Sequence, residues 1–156
     1  MRAENTILIR APLDEIYQLA AAVERWPAFL PHYRYVRVRE ERGRARLLEM
    51  AARRGWIPVW WMARQECQPD VPEIRFRHVR GITTGMDVTW RFAPGPEGVW
   101  VSIHHNLNLE WPIVGRPIAD RIIGPLFVEP IAARTLARIK LLAEARTENT
   151  LEGAAG

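Results

Sequence analysis

Four histidines give this chain side chains that titrate near neutral pH, and one of them stands out by its neighbours. From Val99 to Trp111 the residues alternate. Val99, Val101, Ile103, His105, Leu107, Leu109 and Trp111 share one face, and Trp100, Ser102, His104, Asn106, Asn108 and Glu110 share the other. The pattern places His105 on an apolar wall, where an imidazole can take and return a proton. His78 and Gln65 point inward by the same reasoning, and Arg54 and Tyr33 fall where a cavity would open. The competing reading of His105 is a core histidine bonded to a carbonyl or a water.

Other chemistries find little support. His104 and His105 are adjacent on a strand, so they point to opposite faces and do not share an ion. There is no HExxH pair and no cysteine pair, so no metal is expected. Without a glycine-rich phosphate loop, no cofactor is expected. No Ser/His/Asp constellation can be picked out. Cys67 is the lone cysteine, which forbids an intrachain disulfide, fits a cytoplasmic location, and reads as a small strand residue.

The elements that would position His105 follow in a simple order. Thr6–Arg10 reads as a strand. A helix then begins at Ala11-Pro12-Leu13-Asp14, with Ile16, Leu19, Ala20 and Val23 as its buried stripe. Trp26-Pro27 should end it, with one further turn at Ala28-Phe29-Leu30. Six strands follow between Tyr33 and Trp111: Tyr35–Glu40, Arg44–Arg53, Trp56–Gln68, Glu73–Arg80, Met86–Phe92 and Val99–Trp111. Glu41-Arg42-Gly43, Arg54-Gly55, Pro69-Asp70-Val71-Pro72 and Pro94-Gly95-Pro96-Glu97-Gly98 are the turns between them. After Pro112 a short helical tract is expected at Arg116–Gly124. A long helix should then run from Leu126 or Glu129 to Arg146, with Ile131, Thr135, Leu136, Ile139, Leu142 and Ala143 as its apolar stripe. Thr147–Gly156 reads as a flexible tail.

A curved antiparallel sheet with one long helix across its open face encloses a cavity. The phases of the strands name its walls: Trp26, Phe29, Leu48, Met50, Val59, Trp61, Ala63, Phe76, His78, Met86, Val88, Trp90, Ile103, His105 and Leu107, with Ile131, Thr135 and Ile139 from the helix. A small hydrophobic molecule is the partner such walls suit.

At 156 residues the chain reads as one domain, residues 1–146 with the tail 147–156. No apolar run reaches the length of a membrane span, and no signal peptide is evident at the start. The net charge is +4, and eight arginines lie in Arg34–Arg54. That stretch could serve a nucleic acid, but its alternation with Val36 and Val38 reads as a solvated face, so no nucleic acid is expected. Trp60 and Trp100 fall on the outward phase with Trp56 nearby. A homodimer surface or a transient membrane contact would use them, as against edge packing within the chain.

Ala11-Pro12-Leu13-Asp14-Glu15-Ile16-Tyr17, Val23-Glu24-Arg25-Trp26-Pro27 and Phe29-Leu30-Pro31 resemble the opening of bacterial polyketide cyclase/dehydrase-type proteins of the START-related superfamily. Gly85-Met86-Asp87-Val88-Thr89-Trp90-Arg91-Phe92 resembles that family's sixth strand. The similarity runs from about Thr6 to Arg146. It implies an α+β helix-grip fold, in which a seven-stranded curved antiparallel sheet, two short N-terminal helices and a long C-terminal helix enclose a deep pocket. Its members include polyketide aromatase/cyclases, coenzyme-Q-binding proteins and lipid carriers. The motifs are packing residues, so the resemblance implies no catalytic residue.

Overall fold

The computed structural model describes residues 2–108 and 121–155. The chain begins with strand β1 (Arg2–Ile9), longer than the segment from Thr6 that its apolar residues mark. Helix α1 (Leu13–Ala21) buries Ile16, Leu19 and Ala20, and a single 3-10 turn at Val23–Arg25 leads into the four-residue helix α2 (Trp26–Phe29). Pro27 does not end a helix here. It occupies the first turn of α2, where its missing N–H costs nothing. The break lies earlier, at Ala22, whose ψ of 60° is not helical. Trp26 holds helical angles (φ −53°, ψ −42°) although a proline follows it. Its indole Nε1 donates to the carbonyl of Leu19 at 3.0 Å, which anchors it in place.

Six strands follow: β2 (Tyr33–Arg42), β3 (Ala45–Arg54), β4 (Ile57–Gln68), β5 (Glu73–Gly81), β6 (Met86–Gly95) and β7 (Gly98–Leu107). They form one antiparallel sheet in the order β1-β7-β6-β5-β4-β3-β2. Each strand from β2 to β7 pairs with the next, and β1 closes the far edge against β7. Gly55 turns the β3–β4 hairpin with φ +58°, a left-handed angle that glycine adopts without strain. The β7 positions Leu109 and Trp111, and the first part of the expected tract at 116–124, lie outside the described residues.

Residues 121–123 are helical and lead into a π-helical turn, Gly124–Val128, and then into the long helix α3 (Glu129–Ala154). Pro125 and Pro130 fall in the first turns of these two segments, where proline is tolerated. The helix does not stop at Arg146. It continues to Ala154, with Thr147 and Thr150 hydroxyls bonding back to the carbonyls of Ala143 and Arg146.

The long helix lies across the concave face of the sheet and buries Ala132, Thr135, Leu136, Ile139 and Ala143 against it. Polar contacts fix it at two places. Lys140 Nζ donates to the carbonyl of Leu8 at 2.6 Å, and Glu144 accepts from the Arg10 N–H at 3.0 Å, tying α3 to β1. Arg138 Nε donates to the carbonyl of Phe29 at 3.1 Å, tying it to α2. Among the described residues, no helix is long and apolar enough to cross a membrane.

Candidate functional site: the cavity under the long helix

Strand parity places Met50, Trp61, His78, Val88, Ile103 and His105 on the concave face, and α3 holds Ile131, Ala132 and Thr135 above them. The two walls do not close completely. Between them lies a void of about 650 Å³ counted to its open mouth, of which about 90 Å³ admits the centre of a water-sized sphere. One water needs roughly 10–15 Å³ by the second measure, so the space takes several waters or a small ring system.

Trp26, Met50, Val59, Trp61, Phe76, His78, Met86, Val88, Trp90, Ile103, His105, Ile131 and Thr135 border the void. Phe29, Leu48, Ala63, Leu107 and Ile139 share the right phase but lie off it; four of these are buried in the surrounding core, and Phe29 packs half-buried against that core. Tyr33, Thr83, Phe127, Val128 and Ala132 border it without having been among the expected walls. Tyr33 is a buried wall residue, not a residue of the mouth. Phe127 and Val128 arrive through the π turn, a local winding that no spacing rule announces. Most lining residues are buried. Val59, Phe127 and Ile131 are half-buried and mark the opening.

The aromatic lining is continuous. Trp26 meets Tyr33 edge-on at 5.1 Å between ring centroids and Trp90 at 5.9 Å, and Tyr33 meets Trp61 at 6.2 Å. Arg54, expected at the mouth, sets its guanidinium 5.9 Å from the ring centroid of Phe127, on the rim.

Two histidines interrupt this apolar surface. His78 stacks on Trp61 and shares a 2.6 Å hydrogen bond between its Nδ1 and the Thr83 hydroxyl. His105 reaches the same void from β7, two strands away across β6. Its Nδ1 is buried and has no hydrogen-bond partner among the described residues. Burial holds the His78 imidazole down to about 3, with the nearby His105 adding to the shift. Burial likewise takes His105 down to about 4, with His104 adding to it. Both rings are therefore neutral at pH 7, when each carries one N–H donor and one acceptor nitrogen.

A third buried histidine guards the helix. His32 Nε2 lies 3.2 Å from the Thr135 hydroxyl, which donates to the carbonyl of Ile131 at 2.8 Å. Burial lowers His32 to about 4, with Arg134 contributing.

Gln65 takes a different part from the one its inward phase suggests. It is fully buried, but it is committed to a clamp. Its Nε2 donates to the carbonyl of Ala21 at 2.9 Å, and its Oε1 accepts from Arg46 at 2.9 and 2.7 Å. Arg46 also reaches the Ala21 carbonyl and Glu24. The Arg34–Arg54 stretch is thus broken up: Arg39 pairs with Glu49, Arg44 with Asp70, and Arg46 with Glu24. Trp60 and Trp100 are outward, as their phase requires, but β5 and β6 stand between their strands, so they form no single patch.

The family described as polyketide cyclase / dehydrase and lipid transport matches residues 9–124. Over 99 residues the chain is 32% identical to the granaticin polyketide synthase bifunctional cyclase/dehydratase of Streptomyces violaceoruber, a match covering 62% of this chain and 31% of that protein. The chain thus spans about a third of that relative's length. In fold it is similar to the Zhui aromatase/cyclase from Streptomyces sp. R1128, with a TM-score of 0.78, 18% identity and coverage of 94% of this chain and 95% of that one. It is also similar to a START superfamily protein from Mycobacterium smegmatis, with a TM-score of 0.65, 16% identity and coverage of 96% and 98%.

Proposed function

The chain belongs to the polyketide cyclase / dehydrase and lipid transport family, and from that premise we propose that residues 1–146 bind a small hydrophobic molecule of polyketide or aromatic type in the cavity and promote its cyclisation. The observation that carries this reading is the buried Nδ1 of His105, without a hydrogen-bond partner among the described residues, in a mostly apolar void. A buried polar atom without a partner costs roughly 1–3 kcal/mol. A guest that brings a hydroxyl or carbonyl to this depth supplies the missing hydrogen bond.

The chemistry follows from the neutral ring. In a poly-β-ketone, the hydrogen on a carbon between two carbonyls is acidic. His105 accepts that proton, the enolate carbon attacks a second carbonyl carbon of the same chain, and the imidazolium returns the proton to the new alkoxide. A carbon–carbon bond forms and no net proton is consumed. Burial makes the ring a weak base in the empty cavity, but the enolate forming beside it favours the charged imidazolium and offsets that penalty. His78, already bonded to Thr83, serves as wall and orienting group.

A non-catalytic carrier of a lipid or quinone is the second reading, favoured by the apolar, aromatic lining. One experiment separates them. Native mass spectrometry of fresh protein identifies any co-purified guest, and turnover of a poly-β-ketone mimic is followed in wild type and His105→Ala. Cyclisation by wild type and its loss in a folded His105→Ala protein support the enzyme. An intact fatty or isoprenoid guest with no turnover supports the carrier and overturns the cyclase.

A further inference from the structure

We propose that the mouth of the cavity is a docking surface for an anionic lipid bilayer, built from three neighbouring segments. The first is the tip of the β3–β4 hairpin, where Trp56 is 87% exposed and Ile57 38%. The second is the β5–β6 connection, where Ile82 is 39% exposed. The third is the π turn and the step before it, where Leu126 and Ile122 are 44% and 42% exposed.

These segments are far apart in sequence but meet at one opening. Val59, Thr83 and Phe127 border the same void, and each lies one to three residues from an exposed apolar neighbour. Arg54 rests near the ring of Phe127, which sets the hairpin tip beside the π turn. Trp61, the fifth residue of β4, pairs with Gly81, which sets the first half of β4 beside the Ile82 loop. The side chains are not a single flat apolar face but separate projections around a rim.

Charge decides the partner. Arg54 is half-buried beside Phe127 on this rim, and Arg53, Arg80 and Arg121 are exposed and lie within two residues of Arg54 or of an exposed apolar side chain of the three segments; none of the four takes part in an ion pair among the described residues. The sequence has no Asp or Glu from Arg53 to Val59 or from Val79 to Met86. Glu129, the carboxylate at the start of α3, is half-buried. An exposed Trp with branched aliphatics among unpaired arginines is the composition that seats at the headgroup level of a negative membrane surface. A folded acidic protein would meet the same charge, but it would leave three separate apolar tips without matching pockets, whereas a fluid bilayer accepts them at any spacing. The inference stands whether the cavity performs chemistry or only carries its guest.

The test is flotation of the purified full chain with vesicles of phosphatidylcholine, with and without about a third phosphatidylglycerol. Binding is expected to the anionic vesicles alone and to fall steeply between low salt and about 0.5 M salt. Trp56→Ser with Ile57→Ser is expected to lower the bound fraction roughly tenfold, as is Arg53→Glu with Arg80→Glu. Trp100→Ser, at an exposed tryptophan on the outer face, should leave it unchanged. All five positions are exposed, and circular dichroism checks that each variant is folded. No flotation at low salt overturns the proposal, as does equal loss in Trp100→Ser or retention only on an immobilised acidic protein.

Discussion

His78 lies flat against Trp61, with ring centroids 5.7 Å apart and planes 5° from parallel. With its Nδ1 held by Thr83 at 2.6 Å, the imidazole is pinned on one face and at one edge. His105, reaching the same cavity, has no such commitment. The two histidines therefore differ in what they have left to offer a guest. Thr83→Val should leave a second buried nitrogen unpartnered and cost about 1–2 kcal/mol, read as a shift in the urea midpoint. An unchanged midpoint would mean that the bond contributes nothing.

Mild acid should weaken the fold through its buried histidines. His32, His78 and His105 are held below their ordinary 6.5, to about 4, 3 and 4. The unfolded chain then binds more protons than the native one as pH drops below 6.5, so stability falls from that point until the folded values are reached. Between pH 6.5 and 5 each fully buried ring should cost roughly 2 kcal/mol. Urea denaturation across that window is expected to show the slope, reduced in His105→Phe. A flat profile would contradict the neutral buried state.

Filling the cavity should separate binding from folding. Ala132 is buried on α3 and borders the void. Ala132→Phe is expected to place its ring in empty space, keep the urea midpoint within about 1 kcal/mol, and weaken an environment-sensitive apolar dye by roughly tenfold. Undiminished dye binding in the folded variant would place the dye elsewhere.

The Arg46–Gln65 clamp should be worth more than a surface ion pair. Arg46 bonds the buried Oε1 of Gln65 and the free carbonyl at the end of α1. Arg46→Ala strands the buried Gln65 Oε1, leaves the Ala21 carbonyl only its bond from Gln65 Nε2, and is expected to cost about 2–3 kcal/mol in the urea midpoint, whereas Arg44→Ala, whose partner Asp70 is exposed, should cost under about 1 kcal/mol. Equal effects would show that the clamp is no stronger than the surface pair.

Gly81 should not tolerate a side chain. It holds φ +97°, and an added Cβ would sit 2.4 Å from the carbonyl oxygen of Trp60 and 2.8 Å from Trp61 Cα. Backbone strain and backbone overlap combine here, so Gly81→Ala should cost on the order of 3 kcal/mol and disturb the Thr83 side of the cavity. Gly55→Ala, with a similar sign of φ but nothing within 4 Å, isolates the strain alone.

The walls were legible in the sequence because strand parity is a strict rule. The residues Val101, Ile103 and His105, like Val88 and Trp90, lie on the concave side that alternation assigns them. Parity names a face but not a position along it. The void runs obliquely, from Met50 and Trp61 on β3 and β4 to Ile103 and His105 on β7, so Leu48 and Ala63 share the phase and fall off the track. Twist of the sheet and the line of α3 set that track, and neither is written in any one strand. Gln65 shows the same limit for chemistry, since its inward phase was plain while its partners, the Ala21 carbonyl and Arg46, come from elsewhere in the chain. The end of α3 was misplaced because the polar run after Arg146 reads as a tail, although Thr147 and Thr150 bond back into the helix.

The π turn at Gly124–Val128 carries a length consequence. Such a turn holds one residue more than an α turn, and it sits between the exposed 121–122 step and the anchored body of α3. Deleting a single residue there would let the stretch wind as a plain α turn, and because the π turn fits its extra residue into about the same rotation, residues 121–123 would keep their bearing about the rod's axis. Related chains one residue shorter in this stretch would therefore keep the doorway's frame and lose a side chain from its jamb, where Phe127 and Val128 stand.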